Sequence, residues 1–225
     1  TEVKEQIDLM YSLIHQQVDV IVLVPIDSKA LVQPAVEAVR KGVPVINIDI
    51  RLDTQLLEQA GVEVAFVGPD NFAAAYEVGK LLGKKLRNED KVAIIEGLAA
   101  ADNARQRKRG FIKAIEEKGL RLVASEPADW ETEKAAEVFQ AMWMRYPDLK
   151  AVYCSNDAMA LGVLQQMQEK NCYLPVVGFD NDAVMKEFLS TGKLVATADI
   201  FSSQMAVRGI EFALDVLEGK IENRG

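Results

Sequence analysis

The sequence predicts an α/β fold of parallel strands covered by helices, and three observations carry that prediction. Short runs rich in Val, Ile and Leu alternate with helix-length amphipathic stretches almost from end to end, the pattern of successive βαβ units. The runs are close to uniformly apolar, as strands covered on both faces must be. Polar residues gather where the runs end, giving Asp27, Asp49, Arg51, Asp70, Asn71, Asn156, Asp157, Asp180 and Asn181. Ligands of open α/β sheets bind beyond the carboxyl ends of the strands, so that position matters. Any one of these residues would also serve as a cap for the helix that follows.

Taken in order, the chain opens on an amphipathic stretch over 3–16 that reads as a helix. A parallel sheet ordinarily begins with a strand, so a βαβ unit is expected to precede it. The first strand is Val20 to Val24, and Ser28 is placed to N-cap a helix that Gly42 closes. Strands follow at 45–49, 62–67, 91–96, 120–125, 151–154, 176–180 and 194–197. Helices are expected at 72–86, 104–118, 132–145, 157–170, 182–190 and 203–218.

Composition narrows the function. The 225 residues are 49% hydrophobic and 27% charged, which suits an ordinary globular chain. A net charge of -8 repels phosphate, so nucleic acid is not an expected partner. No apolar run approaches the roughly 20 residues of a spanning helix, and Thr1 to Gln6 are too charged for a signal peptide. Cys154 and Cys172 lack a CxxC spacing and are expected to be buried thiols. The single histidine, His15, has no ligand or triad partner at useful spacing, so no metal is expected. Gly79 to Lys85 superficially looks like a phosphate loop but falls inside a helix, with no Ser or Thr after the lysine. Neither a dinucleotide fingerprint nor a nucleophile elbow appears, and the chain is expected to be no enzyme and to need no cofactor.

What remains is a set of planar hydrogen-bonding groups with an aromatic among them: Asp49, Arg51, Arg105, Arg107, Trp130, Asn156 and Asp180. Vicinal sugar hydroxyls donate to carboxylates and accept from guanidinium, while the apolar face of a sugar ring stacks on an aromatic. Arg105 and Arg107 would otherwise be surface charges opening a helix, and Trp130 a core anchor.

At these residues the chain resembles a known family. Val24-Pro25-Ile26-Asp27, Val43-Pro44-Val45-Ile46-Asn47-Ile48-Asp49, Ala104 to Phe111, Pro127-Ala128-Asp129-Trp130, Ser155-Asn156-Asp157-Ala158-Met159-Ala160-Leu161-Gly162, Val177-Gly178-Phe179-Asp180 and Gly192 to Thr197 resemble, in order, the type I periplasmic sugar-binding proteins, the ribose-binding group in particular. The resemblance implies two Rossmann-like lobes with the sugar held in the cleft, as the binding component of an ABC-type importer working with a membrane permease in the periplasm or another extracytoplasmic space. It implies ligand contacts from Asp49, Arg107, Trp130, Asn156 and Asp180, with Arg107 solvated when no sugar is bound. Ile50 stands where the family's usual arginine follows the first aspartate, with Arg51 one place on, and the glutamine expected in the last crossover falls near Ile200, with Asp199 beside it. The same fold serves the effector domains of lactose-repressor-type regulators, which is the alternative function.

The implied lobe boundaries are 1–69 for the N-terminal lobe, 70–199 for the C-terminal lobe and 200–225 for the return to the first. Measured against the family, a front β-α-β unit of roughly 50 residues and the final strands are expected to be missing. A second copy is then an expected partner, pairing through exposed strand edges.

Overall fold

The structure is a computed structural model, described over residues 2–221. Its elements in chain order are α1 (Glu2–His15), β1 (Ile21–Leu23), α2 (Val32–Arg40), β2 (Val45–Ile48), α3 (Thr54–Ala60), β3 (Ala65–Val67), α4 (Asn71–Gly83), β4 (Lys91–Glu96), α5 (Asp102–Lys118), β5 (Arg121–Pro127), α6 (Thr132–Arg145), β6 (Ala151–Cys154), α7 (Asp157–Glu169), β7 (Val176–Val177), α8 (Met185–Ser190), β8 (Leu194–Ala196) and α9 (Ser202–Leu217). The chain divides into two compact units, one of 1–69, 100–103 and 201–225, the other of 70–99 and 104–200.

The first unit is built on a parallel sheet ordered β1-β2-β3, with Val22 opposite Ile46 and Asn47 opposite Phe66. Side chains alternate across a strand, so one sheet makes two cores. Ile21, Leu23 and Val45 pack with Met10, Ile14, Leu31 and Leu57 on the α1 to α3 side. On the opposite face, Ile46, Ile48 and Ala65 pack with Phe212, Ala213 and Val216 of α9. A Cβ at Gly209 would lie 2.7 Å from Ile48 Cγ2, so the glycine lets α9 approach this closely. Strand β1 is an edge of this sheet, and its Val22 and Val24 are exposed. Helix α9 carries a second apolar row, Val207, Ile210, Leu214 and Leu217, recurring at the spacing of a heptad seam and 44% to 55% exposed.

The second unit is a five-stranded parallel sheet ordered β5-β4-β6-β7-β8. Ala93, Ile95, Val152, Cys154 and Val176 face Phe139 and Met142 of α6 and Met159 and Val163 of α7. Val92, Ile94, Tyr153 and Val177 face Val78 and Leu82 of α4 and Phe111 and Ile115 of α5. Helices α6 and α7 meet closely because Gly162 has no Cβ to collide with the Thr132 carbonyl. The strand order reverses between β4 and β6, and the carboxyl ends of such a pair make the natural ligand crevice of an open sheet.

Several local expectations are corrected. Ser28 caps no helix: α2 starts at Val32 after Leu31, with no side-chain cap. The Ser28 hydroxyl accepts the Asp102 N–H at 2.9 Å instead, and the Ser28 N–H donates to the Ala100 carbonyl at 3.1 Å. These bonds tie 100–103 into the first unit, which the sequence-derived boundaries do not anticipate. Asp27 holds the intervening turn by accepting the N–H groups of Lys29 and Ala30. Helix α3 was not expected; Asp53 caps it by accepting the Leu56 N–H at 3.1 Å, and Gly61 ends it at φ +66°. Strand β7 stops at Val177 rather than Asp180, with an isolated bridge from Asp180 to Asp199 beyond it, and the backbone turns to positive φ at Asp180 (+113°) and Asn181 (+59°). Cys154 is buried, whereas Cys172 is only partly so.

Candidate functional site

In the second unit the side chains converge on Arg107, in the second turn of α5. Ala104, Arg107 and Phe111 lie on one helix face by their spacing of three and four, and all three are buried. The Arg107 side chain is 3% exposed. Its Nε donates to Asn71 Oδ1 at 2.9 Å and its Nη1 to the Ser155 carbonyl at 2.8 Å. Nη1 also pairs with Asp180 Oδ1 at 3.2 Å. The guanidinium lies 3.8 Å from the Phe179 ring centroid and 5.6 Å from that of Trp130. Ser155 follows β6 and Trp130 follows β5, so the cluster occupies carboxyl ends of the sheet beside its switch point.

The expectation of a solvated Arg107 is therefore corrected. Its charge is buried by the protein's own groups, and it is held by three acceptors from α4, the β6 end and the β7 end. Burying a guanidinium is tolerable only with such compensation. A guanidinium fork pinned on one edge is preorganised, since Nη2 can then turn to a hydroxyl without a fresh loss of side-chain freedom.

Trp130 is half-buried at φ +72°, packed partly against the α6 and α7 core. Its ring lies over Gly97, just after β4, where a Cβ would collide with it. The ring contacts core on one side and neighbours Arg107 on the other. Asn156 caps α7, with Oδ1 accepting the Met159 N–H at 2.9 Å, so its amide N–H groups are what it can offer a ligand. Asp199 is exposed and accepts from Asn181 Nδ2 at 3.0 Å. Arg105 reaches the Ala99 carbonyl at 3.0 Å.

In the first unit, Asp49 sits at φ +63° immediately after β2, its N–H donating to the Val67 carbonyl at 3.0 Å. Buried Asn47 shapes this turn: Nδ2 donates to the Ile50 carbonyl at 2.8 Å, and Oδ1 accepts the Leu52 N–H at 2.8 Å. Arg51 is exposed, its guanidinium 4.2 Å from the Phe66 ring centroid. Asp49, Trp130 and Asp180 all hold positive φ without being glycine. Each such residue costs of order 1–3 kcal/mol and persists where its surroundings over-determine it, which is common at ligand clamps.

Sequence reasoning missed the partners of Arg107. Asn71 appeared only as a strand-end polar residue and Phe179 only within a motif. Their signal was available, since both adjoin a quoted carboxylate at a strand end. Replacing Trp130 with Ala is expected to lower stability by about 1–2 kcal/mol through lost packing over Gly97. Affinity for the sugar that the resemblance implies should fall about tenfold, roughly 1.4 kcal/mol, and Trp130→Phe should recover most of it. Denaturant melts beside calorimetric titration separate the two effects; a stability cost with unchanged affinity would remove Trp130 from the site.

Comparison with known proteins shows the family of the chain. A family model of the periplasmic binding protein domain matches residues 1–221. The chain is 41% identical to a D-ribose/D-allose-binding protein of Pseudomonas aeruginosa over 222 residues, covering 98% of this chain and 70% of that protein. It is 33% identical to the D-allose-binding periplasmic protein of Escherichia coli over 217 residues, or 94% of this chain and 70% of the relative. Among solved structures, an ABC transporter solute-binding protein from Burkholderia multivorans superposes with a TM-score of 0.94 at 40% identity, covering 99% of this chain and 80% of that one. Another, from Actinobacillus succinogenes with bound D-allose, has a TM-score of 0.90 at 32% identity, covering 96% of this chain and 78% of that one.

Proposed function

Because the chain belongs to the periplasmic binding protein domain family, we propose that it binds a monosaccharide or closely related polyol as the solute-binding component of an ABC-type importer. It works outside the cytoplasmic membrane and delivers its ligand to a membrane permease. The chain's own chemistry supports this through one observation above others: the buried Arg107, paired with Asp180 and flanked by Trp130, at the carboxyl ends of the second unit's sheet. Asp180 supplies an acceptor for sugar hydroxyls, Arg107 supplies paired donors, and Trp130 supplies an apolar face. The Asn156 amide adds a donor. Asp199, held by Asn181, is assigned a supporting contact.

None of these groups is a nucleophile beside a base, so the set binds a neutral polyol without changing it. The relatives named above are binding proteins, which favours transport over transcriptional control. A thermal-shift screen of D-ribose, D-allose, other pentoses and hexoses, and their polyols tests the proposal. A true ligand at about 100 times its Kd should stabilise the protein by about 2.7 kcal/mol. That is a rise in Tm of about 5–10 °C for a chain of this size. A folded protein that no member of this panel stabilises would overturn the reading.

A further inference from the structure

Asp157 is fully buried and belongs to no ion pair among the described residues. It opens α7, yet its contacts run to the two strands beyond, from β7 to β8. Its backbone N–H donates to the Phe179 carbonyl at 2.8 Å. Its Oδ2 accepts the Asp182 N–H at 2.8 Å. The Thr197 hydroxyl reaches both carboxylate oxygens, at 2.9 and 3.0 Å. Thr197 Oγ1 in turn accepts the Asn181 N–H at 3.1 Å. Gly178 leaves the carboxylate its space, since a Cβ there would collide with Oδ1.

Residues 181 and 182 are thus fastened, through Thr197 and directly, to one carboxylate, and residue 179 to the backbone N–H of the same aspartate. Between them lies Asp180, at φ +113°, with its N–H on the Ala198 carbonyl at 2.8 Å and its carboxylate on Arg107. Two successive residues at positive φ would relax if nothing held them. An ionised carboxylate, whose two oxygens only accept, satisfies both an N–H and a hydroxyl that point at it. We infer that Asp157 is a positioning residue for the sugar site, a buried carboxylate that templates the 179–182 turn and so aims Asp180 at ligand and at Arg107. This rests on the sugar-binding reading for its functional consequence, and on the turn's geometry for its structural one.

The surroundings give the template a pH range. Asp182, Asp180 and Asp199 are the carboxylates nearby, Cys154 lies at the end of β6, and the cation Arg107 is committed to Asp180. Burial pushes the Asp157 carboxyl up to about 6. Acidification through that pH protonates it and sets a donor against Thr197 and Asp182. A carboxyl raised by folding makes the protonated fold the favoured one, so this group's contribution to stability rises as pH falls from about 7 toward 4. Affinity should move the other way, because the turn loses its template. A purely structural residue would move both together.

The test uses the whole chain with D-ribose and D-allose as probes, in wild type, Asp157→Asn, Thr197→Val, Asp180→Ala and the Asp157→Asn/Asp180→Ala double variant. At pH 7.5 Asp157→Asn and Thr197→Val should each bind at least tenfold more weakly than wild type. Wild-type affinity should fall as pH drops from 7.5 to 5, whereas Asp157→Asn should stay flat at the wild-type acid value. The double variant should bind no more weakly than Asp180→Ala, since Asp157 acts through Asp180. Independently of any sugar, Asp157→Asn should speed amide exchange at Asn181 and Asp182 at least tenfold. Unchanged exchange and affinity in Asp157→Asn overturn the inference. Accelerated exchange in a protein that binds neither probe upholds the template and counts against the sugar reading instead.

Discussion

Arg107→Ala is expected to weaken sugar binding by about 1.5–3 kcal/mol, the worth of charge-assisted hydrogen bonds, and to lower stability of the second unit by about 2–4 kcal/mol. The double penalty follows from the place of this cation. Three acceptors lose their donor at once: Asn71 Oδ1, the Ser155 carbonyl and Asp180. Asp180, with a side chain 25% exposed, recovers part of its loss through water, which keeps the cost below that of a fully buried broken pair. Arg107→Lys separates the parts. It restores a charge against Asp180 and some stability, but not the planar fork, so affinity should stay about tenfold down. Denaturant unfolding with calorimetric titration reads both. Wild-type affinity in either variant would sink the site assignment.

Phe111→Ala should cost about 3–5 kcal/mol, the usual range for truncating a fully buried phenylalanine. The second unit's melting midpoint should drop by about 6–20 °C. The ring stacks on Tyr153 of β6, centroids 4.2 Å apart and planes 13° apart, and lies against Gly79 of α4, where a Cβ would come within 2.8 Å of it. It therefore locks α5 to both the sheet and a neighbouring helix, one turn beyond Arg107. Phe111→Leu should return most of the stability. A loss below about 1 kcal/mol in Phe111→Ala would show that α5 is seated by something else.

The alternation of apolar runs and amphipathic stretches was enough to locate nearly every strand and helix, because both cores of each sheet draw on that periodicity. Helix α3 escaped because its seven residues give too little period to read, although Asp53 and Gly61 mark its ends. Ser28 misled because a hydroxyl before a helix looks the same whether it caps or bonds a distant backbone N–H. Arg107 was legible as a residue and illegible as a burial. Four cations crowd Arg105 to Arg109, and only the phase set by Ala104 and Phe111 says which one turns inward. The Asp157 network joins residues 40 apart in sequence through Thr197, and no local pattern announces a bond of that kind.

The exposed side chains of Val22 and Val24 and the second apolar row of α9 bear on how this chain behaves in solution. A net charge of -8 keeps copies apart at low ionic strength. At 1 M salt the screening length shrinks to about 3 Å, and that repulsion no longer reaches past contact. Sulfate and phosphate also strengthen apolar association. Exposed apolar side chains then meet with little to hold them apart, so the colloidal state of this acidic protein is governed by its buffer as much as by its fold.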